Sequence, residues 1–333
     1  MLTHILRHLV RGLIITPIVM VIGVGGILLF TAPKPPPLIA AVEKANDPFA
    51  RFSRELPDYH FMTARDGGTL AYHYYAGKPG GGVAVLVHGS SGSSLAVHGL
   101  AEAYAARGIT VYAPDLRGHG LSPGPDHRLG DVSYRGQYED DLDDLAKLVA
   151  REHPDEKRLL AGHSMGGAII LRTAASRYAG NFNGYLALSP FIAPNTPMDQ
   201  PAQGGWTVVS VPRIVVLSIL NRFGISALDH LTVLAMAVPK NDLQRPRTYS
   251  HALLASSNLQ QDWQGALARI TQPTRILIGA NDELFVASAY PSAIGKANPK
   301  IPVTILPGQG HMTMMFDQKA ITAETDAAVE MLK

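Results

Sequence analysis

The sequence predicts an α/β fold, a mostly parallel eight-stranded sheet with helices on both faces. Short apolar runs rich in β-branched residues alternate with helical patterns, one early hairpin signal stands apart, and several apolar runs end in loops of Gly, Ser, His and Asp. The strands are expected at Tyr59–Thr63, Leu70–Ala76, Val83–Val87, Ile109–Ala113, Arg158–Ala161, Tyr185–Leu188, Arg275–Ile278 and Val303–Leu306. Asp66-Gly67-Gly68 joins the first two as a hairpin. The later ones alternate with helices such as Tyr134–Glu152 and Ala320–Leu332, which makes parallel crossovers the economical connection.

Ahead of this pattern lies a segment of another kind. Leu13 to Ala32 carries no charged residue, and as a helix it would reach roughly 30 Å, a bilayer's hydrocarbon thickness. LIITPIVMVIGVGGILLF is apolar all round, Arg7 and Arg11 precede it, and Pro17 sits near its start. An uncleaved anchor competes here with a cleavable signal peptide, and Phe30 and Ala32 before Pro33 make a poor cleavage site. The expectation is therefore one N-terminal transmembrane helix (residues 1–32), single-pass, with the main domain extracytoplasmic. Lys34 and Lys44 beyond the segment keep the charge bias thin. A Pro-containing linker (33–51) follows, stiffened by Pro33 to Pro37. The α/β domain is expected over 52–190 and 266–333, interrupted by an insertion over 191–265.

Composition removes several function classes. A formal net charge of +2 without a basic cluster argues against nucleic acid. The absence of cysteine excludes disulfides, thiol nucleophiles and thiolate metal sites. The acidic run Glu139 to Asp144 falls on a predicted helix and reads as a solvated face rather than a metal site. No metal or cofactor is expected.

In a parallel sheet, ligands bind beyond the C-terminal strand ends. There, Gly162-His163-Ser164-Met165-Gly166 gives G-x-S-x-G between a strand and a helix, so Ser164 is the expected nucleophile. Glycines flank it because the turn leaves no room for side chains. A serine hydroxyl needs a base, and His311 follows the last strand in Pro307-Gly308-Gln309-Gly310-His311. Asp282, after Arg275–Ile278, is the expected carboxylate that holds the imidazole; Glu283 is the alternative. Oxyanion donors are expected from the backbone N–H of Met165 and, after the Val83–Val87 strand, from Ser90. His88 reads as structural.

Taken together, HGSSGSS, DLRGHGLS, GHSMGG, GANDELF and GQGHM resemble the α/β-hydrolase superfamily, and more narrowly its monoacylglycerol lipase and lysophospholipase-like branch. The resemblance covers about Phe52 to Lys333. It implies an α/β-hydrolase fold, a serine hydrolase working through an acyl-enzyme, and a lipid-like ester substrate. It also implies that DLRGHGLS is a structural turn, leaving Asp115 and His119 outside the site, and that the insertion before Arg275 is a helical cap. The Val-, Leu- and Ile-rich middle of that cap reads as short amphipathic helices around Gly224 and Pro239. Its apolar residues could line an acyl pocket, pack the cap onto the main domain, or face a bilayer. Thioesterase or amidase chemistry fits the same residues, and a non-catalytic ligand-binding protein of this fold is the rival from another class.

Overall fold

The computed structural model describes residues 19–38, 56–200, 205–259 and 262–333. All eight expected strands form, each within two residues of its expected ends. They are β1 (Tyr59–Thr63), β2 (Thr69–Tyr75), β3 (Val83–Val87), β4 (Thr110–Pro114), β5 (Arg158–His163), β6 (Gly184–Leu188), β10 (Thr274–Gly279) and β11 (Val303–Leu306). They build one sheet in the order β1-β2-β4-β3-β5-β6-β10-β11. Only the β1–β2 and β2–β4 pairs are antiparallel.

Burial on both faces explains why the central strands read as unbroken apolar runs. In β3, Val83, Val85 and Val87 enter one core while Ala84 and Leu86 enter the other. The first core lies under α3 (Gln137–Glu152), α4 (Met165–Ala174) and α8 (Tyr290–Ala297). The second lies under α2 (His98–Ala106) and α9 (Gln318–Leu332). Tyr138, Leu142, Leu145 and Val149 recur along α3 at helical spacing and point into the first core.

The acidic run on α3 departs from the expected solvated face. Glu139, Asp141 and Asp143 are buried. Arg65, at the β1–β2 turn, pairs with Asp140, Asp143 and Asp144, while Arg117 pairs with Asp141 and Arg172 with Glu139. These carboxylates bind distant elements to the helix, which periodicity within the helix could not reveal.

Between β6 and β10 the insertion is only partly helical. It holds β7 (Thr207–Val209), α5 (Val211–Arg222), β8 (Thr232–Met236), β9 (Thr248–Ser250), α6 (His251–Ser256) and α7 (Trp263–Ala268). Strands β7, β8 and β9 form an antiparallel sheet. Gly224, at φ +79°, closes α5 as its position suggested, but the following apolar run becomes β8. Val233 and Ala235 alternate inward there, a period of two inside a stretch read as helical.

The expected single-pass membrane anchor is overturned. Among the described residues, no helix is long and apolar enough to cross a membrane. Among the described residues the N-terminal helix, α1, covers 19–30, a described length of roughly 18 Å at 1.5 Å per residue. Its last turn packs on the cap: Leu28 joins Leu217 and Val233 in a small cluster. The Arg213 guanidinium donates to the Leu28 carbonyl, and Ser210 Oγ donates to Thr31 Oγ1 at 3.3 Å. Residues 13–18 of the expected span and 39–51 of the expected linker lie outside the described residues.

Candidate active site

Strand register brings the expected site residues to one edge of the sheet. Val87 pairs with Gly162, His163 with Leu188, Leu188 with Leu277, and Gly279 with Leu306. The chain then leaves those strand ends into the segments carrying Ser90, Ser164, Asp282 and His311.

Ser164 stands between β5 and α4 at φ 55°, ψ −116°, a conformation L residues rarely adopt. Its surroundings fix it. The Ser164 N–H donates to Leu188 C=O at 2.9 Å, and its carbonyl accepts from the N–H groups of Ala168 and Phe191, both at 3.1 Å. The neighbouring glycines are sterically required. A Cβ on Gly166 would lie 2.5 Å from the His88 carbonyl oxygen and 2.6 Å from that of Val87. One on Gly162 would lie 2.7 Å from the Gly166 backbone. Met165 is the first residue of α4, a position whose N–H has no acceptor within the helix.

Asp282 and His311 meet across two strand-end loops. His311 Nδ1–H donates to Asp282 Oδ2 at 2.9 Å, leaving Nε2 as the basic nitrogen. Asp282 Oδ1 accepts from the N–H groups of Leu284 and Phe285 at 3.0 Å. Burial alone would penalise the Asp282 carboxylate, but the His311 imidazole and these donors hold it below the usual range. Glu283, the alternative acid, instead accepts the His311 backbone N–H at 2.7 Å.

The His311 ring is held laterally. Phe285 meets it edge-on with centroids 5.0 Å apart, and the His163 ring lies 4.6 Å away. His163 Nε2–H donates to the His311 carbonyl at 3.1 Å, which ties the residue before Ser164 to the histidine loop. Burial, reinforced by His311, pushes the His163 pKa down to about 3, so it stays neutral. His88 Nδ1–H donates to Gly89 C=O, and its Nε2 accepts the Leu116 N–H. Ser90 sits in a turn closed by Gly92 N–H to Gly89 C=O, beside Ser91 at φ 54°.

Sequence reasoning missed the aromatic wall, in which Phe191 stacks on Phe285 at 5.8 Å. It also missed a Ser–His–Asp chain in the insertion. His251 Nδ1 bonds Asp229 Oδ1 at 2.8 Å, and Ser218 Oγ lies 3.3 Å from His251 Nε2. Ser218 sits in the middle of α5, whose backbone N–H groups bond within the helix and so offer it no oxyanion donor. It clamps α5 to α6.

Over residues 79–319 the chain matches the family model described as serine aminopeptidase, S33. The chain belongs to that family. This S33 chain has the α/β-hydrolase fold and is similar to monoacylglycerol lipases. It is 37% identical over 111 residues to the monoacylglycerol lipase of Mycolicibacterium smegmatis, covering 33% of this chain and 38% of that one. It is 32% identical over 145 residues to human monoglyceride lipase, covering 43% and 45%. The matched segments thus span less than half of these curated relatives. In fold it resembles a soluble variant of monoglyceride lipase from Saccharomyces cerevisiae, with TM-score 0.63 and 16% identity over 84% of this chain and 95% of that one.

Proposed function

We propose that the protein is a serine hydrolase that cleaves carboxylic esters through an acyl-enzyme at Ser164. One observation carries the reading: the buried Asp282–His311 hydrogen bond packs its imidazole against His163, the residue before a serine held at φ 55° on a strand-end turn. Such strain is retained where the surrounding structure enforces it, and presenting a nucleophile at the end of the sheet is a reason for it, although Ser164 itself is buried. His311 takes the proton as Ser164 Oγ attacks the ester carbonyl. The N–H groups of Met165 and Ser90 hold the oxyanion, the alcohol departs with the proton from His311, and water then releases the acid. No cofactor enters these steps.

The favoured substrate is a lipid-like ester, a monoacylglycerol or lysophospholipid. The names of the relatives, the Phe191–Phe285 wall and the apolar cap support that choice. Amide cleavage is the second reading, favoured by the family's description as aminopeptidases. Turnover of p-nitrophenyl esters of increasing chain length, against aminoacyl p-nitroanilides, separates the two. Ester turnover rising with acyl length and absent anilide turnover is the expected result. Faster anilide turnover would replace the ester reading.

A further inference from the structure

A short cap segment holds the candidate oxyanion turn at Ser91, and its Tyr249 hydroxyl also hydrogen-bonds the Ser90 side chain. Ser91 is buried, and at φ 54° it lies in the left-handed region that L residues rarely adopt. All three of its polar groups are held by a short cap segment. Its N–H donates to the Tyr249 hydroxyl at 2.6 Å, its Oγ donates to Pro246 C=O at 2.8 Å, and its carbonyl accepts from Arg245 Nε at 2.7 Å.

The Tyr249 phenol is itself oriented. His119 Nδ1 lies 3.1 Å from the Arg117 carbonyl, which can only accept, so Nδ1 carries the ring proton and Nε2 is an acceptor. Nε2 lies 2.8 Å from the Tyr249 hydroxyl, which therefore donates to it and keeps a lone pair for the Ser91 N–H. Burial keeps both rings neutral, lowering the His119 pKa and raising that of Tyr249. The relay from Ser91 N–H through Tyr249 to His119 leaves no ambiguity of direction. Gly120 N–H, donating to Gln244 C=O at 2.9 Å, ties the turn that carries His119 to the same cap segment.

We infer that Tyr249 is a positioning residue: its hydroxyl, fixed by His119, holds Ser91 in the left-handed turn that aims the adjacent Ser90 N–H at the developing oxyanion. The inference rests on the serine-hydrolase reading and adds to it that the cap shapes the transition-state site as well as the substrate pocket. An oxyanion donor turned away costs reaction rate rather than ground-state binding.

Tyr249→Phe keeps the ring and removes the hydroxyl. Its kcat on a p-nitrophenyl ester should fall about tenfold or more with KM within twofold of wild type. The inhibition constant of a trifluoromethyl ketone, which forms a tetrahedral adduct, should rise in proportion to the loss in kcat/KM. If Tyr249→Phe does not fold, His119→Gln, which removes the imidazole acceptor, should give the same kcat-selective loss at smaller size. An unchanged kcat, a loss confined to KM, or a loss that tracks the folded fraction overturns the inference. Ser164→Ala is run alongside. If that variant keeps wild-type turnover, the hydrolase reading falls and this inference falls with it; if it is inactive while Tyr249→Phe matches wild type, this inference alone is wrong.

Discussion

Replacing Gly166 by alanine tests whether the strained turn at Ser164 does what its geometry implies. The added Cβ would stand 2.5 Å from the His88 carbonyl oxygen and 2.6 Å from that of Val87. Carbon and carbonyl oxygen approach no closer than roughly 3.3 Å without strain, so the turn and the end of β3 must separate by about 0.8 Å. Both obstacles are backbone, and neither can swing aside. A displacement near 1 Å at a reacting atom costs about 10²-fold in rate, and overpacking of this kind destabilises by about 1–3 kcal/mol. Gly166→Ala should therefore lower kcat on a short-chain p-nitrophenyl ester about 100-fold while lowering the thermal midpoint by several degrees. Gly180→Ala is the control, since a Cβ there meets nothing within 4 Å. A Gly166→Ala protein with the kcat and melting point of Gly180→Ala would refute the steric account of the turn.

Three further outcomes follow from the same geometry. Asp282→Asn can still accept the Leu284 and Phe285 N–H groups through its amide oxygen but no longer fixes Nδ1–H on His311, so kcat should fall by on the order of 10⁴ with little change in melting point; a tenfold loss would mean the pair is not catalytic. Arg65→Ala leaves Asp140, Asp143 and Asp144 facing one another without their shared cation, and should cost about 1–2 kcal/mol in urea unfolding, a value tempered by the partial exposure of Arg65. Acid should destabilise the protein through His163: its folded pKa of about 3 lies below the ordinary 6.5, so the unfolded chain gains a proton that the folded chain refuses. That penalty is absent above pH 6.5 and grows as pH falls toward 3, reaching about 2 kcal/mol at pH 5. Urea midpoints at pH 7.5 and 5.0, with His163→Gln showing the smaller drop, check it.

What was legible in the sequence was whatever depends on neighbours along the chain. β3 reads as a strand because five consecutive residues are apolar and both of its faces are covered. G-x-S-x-G exposes its own steric logic, and the Gly162 and Gly166 contacts repeat it in space. Asp282 and His311 each follow a strand, and parallel pairing of β10 with β11 brings those ends together. The failures have the opposite character. Arg65 lies 79 residues from Asp144, and Tyr249 lies 158 residues from Ser91, so no local pattern could join them. In the sequence β8 reads as helix because its apolar run has no polar alternation to mark a strand. The apolar N-terminal segment was read by length and hydropathy alone, which take no account of Leu28 packing into the cap.

The most direct test of the central claim is to label the protein with a fluorophosphonate and locate the adduct by peptide mass spectrometry, with Ser164→Ala alongside. The account predicts one phosphonylated serine, Ser164, no labelling of the variant, and loss of ester turnover in step with labelling. An adduct on Ser218, or a folded wild type that neither labels nor hydrolyses any ester, would contradict it.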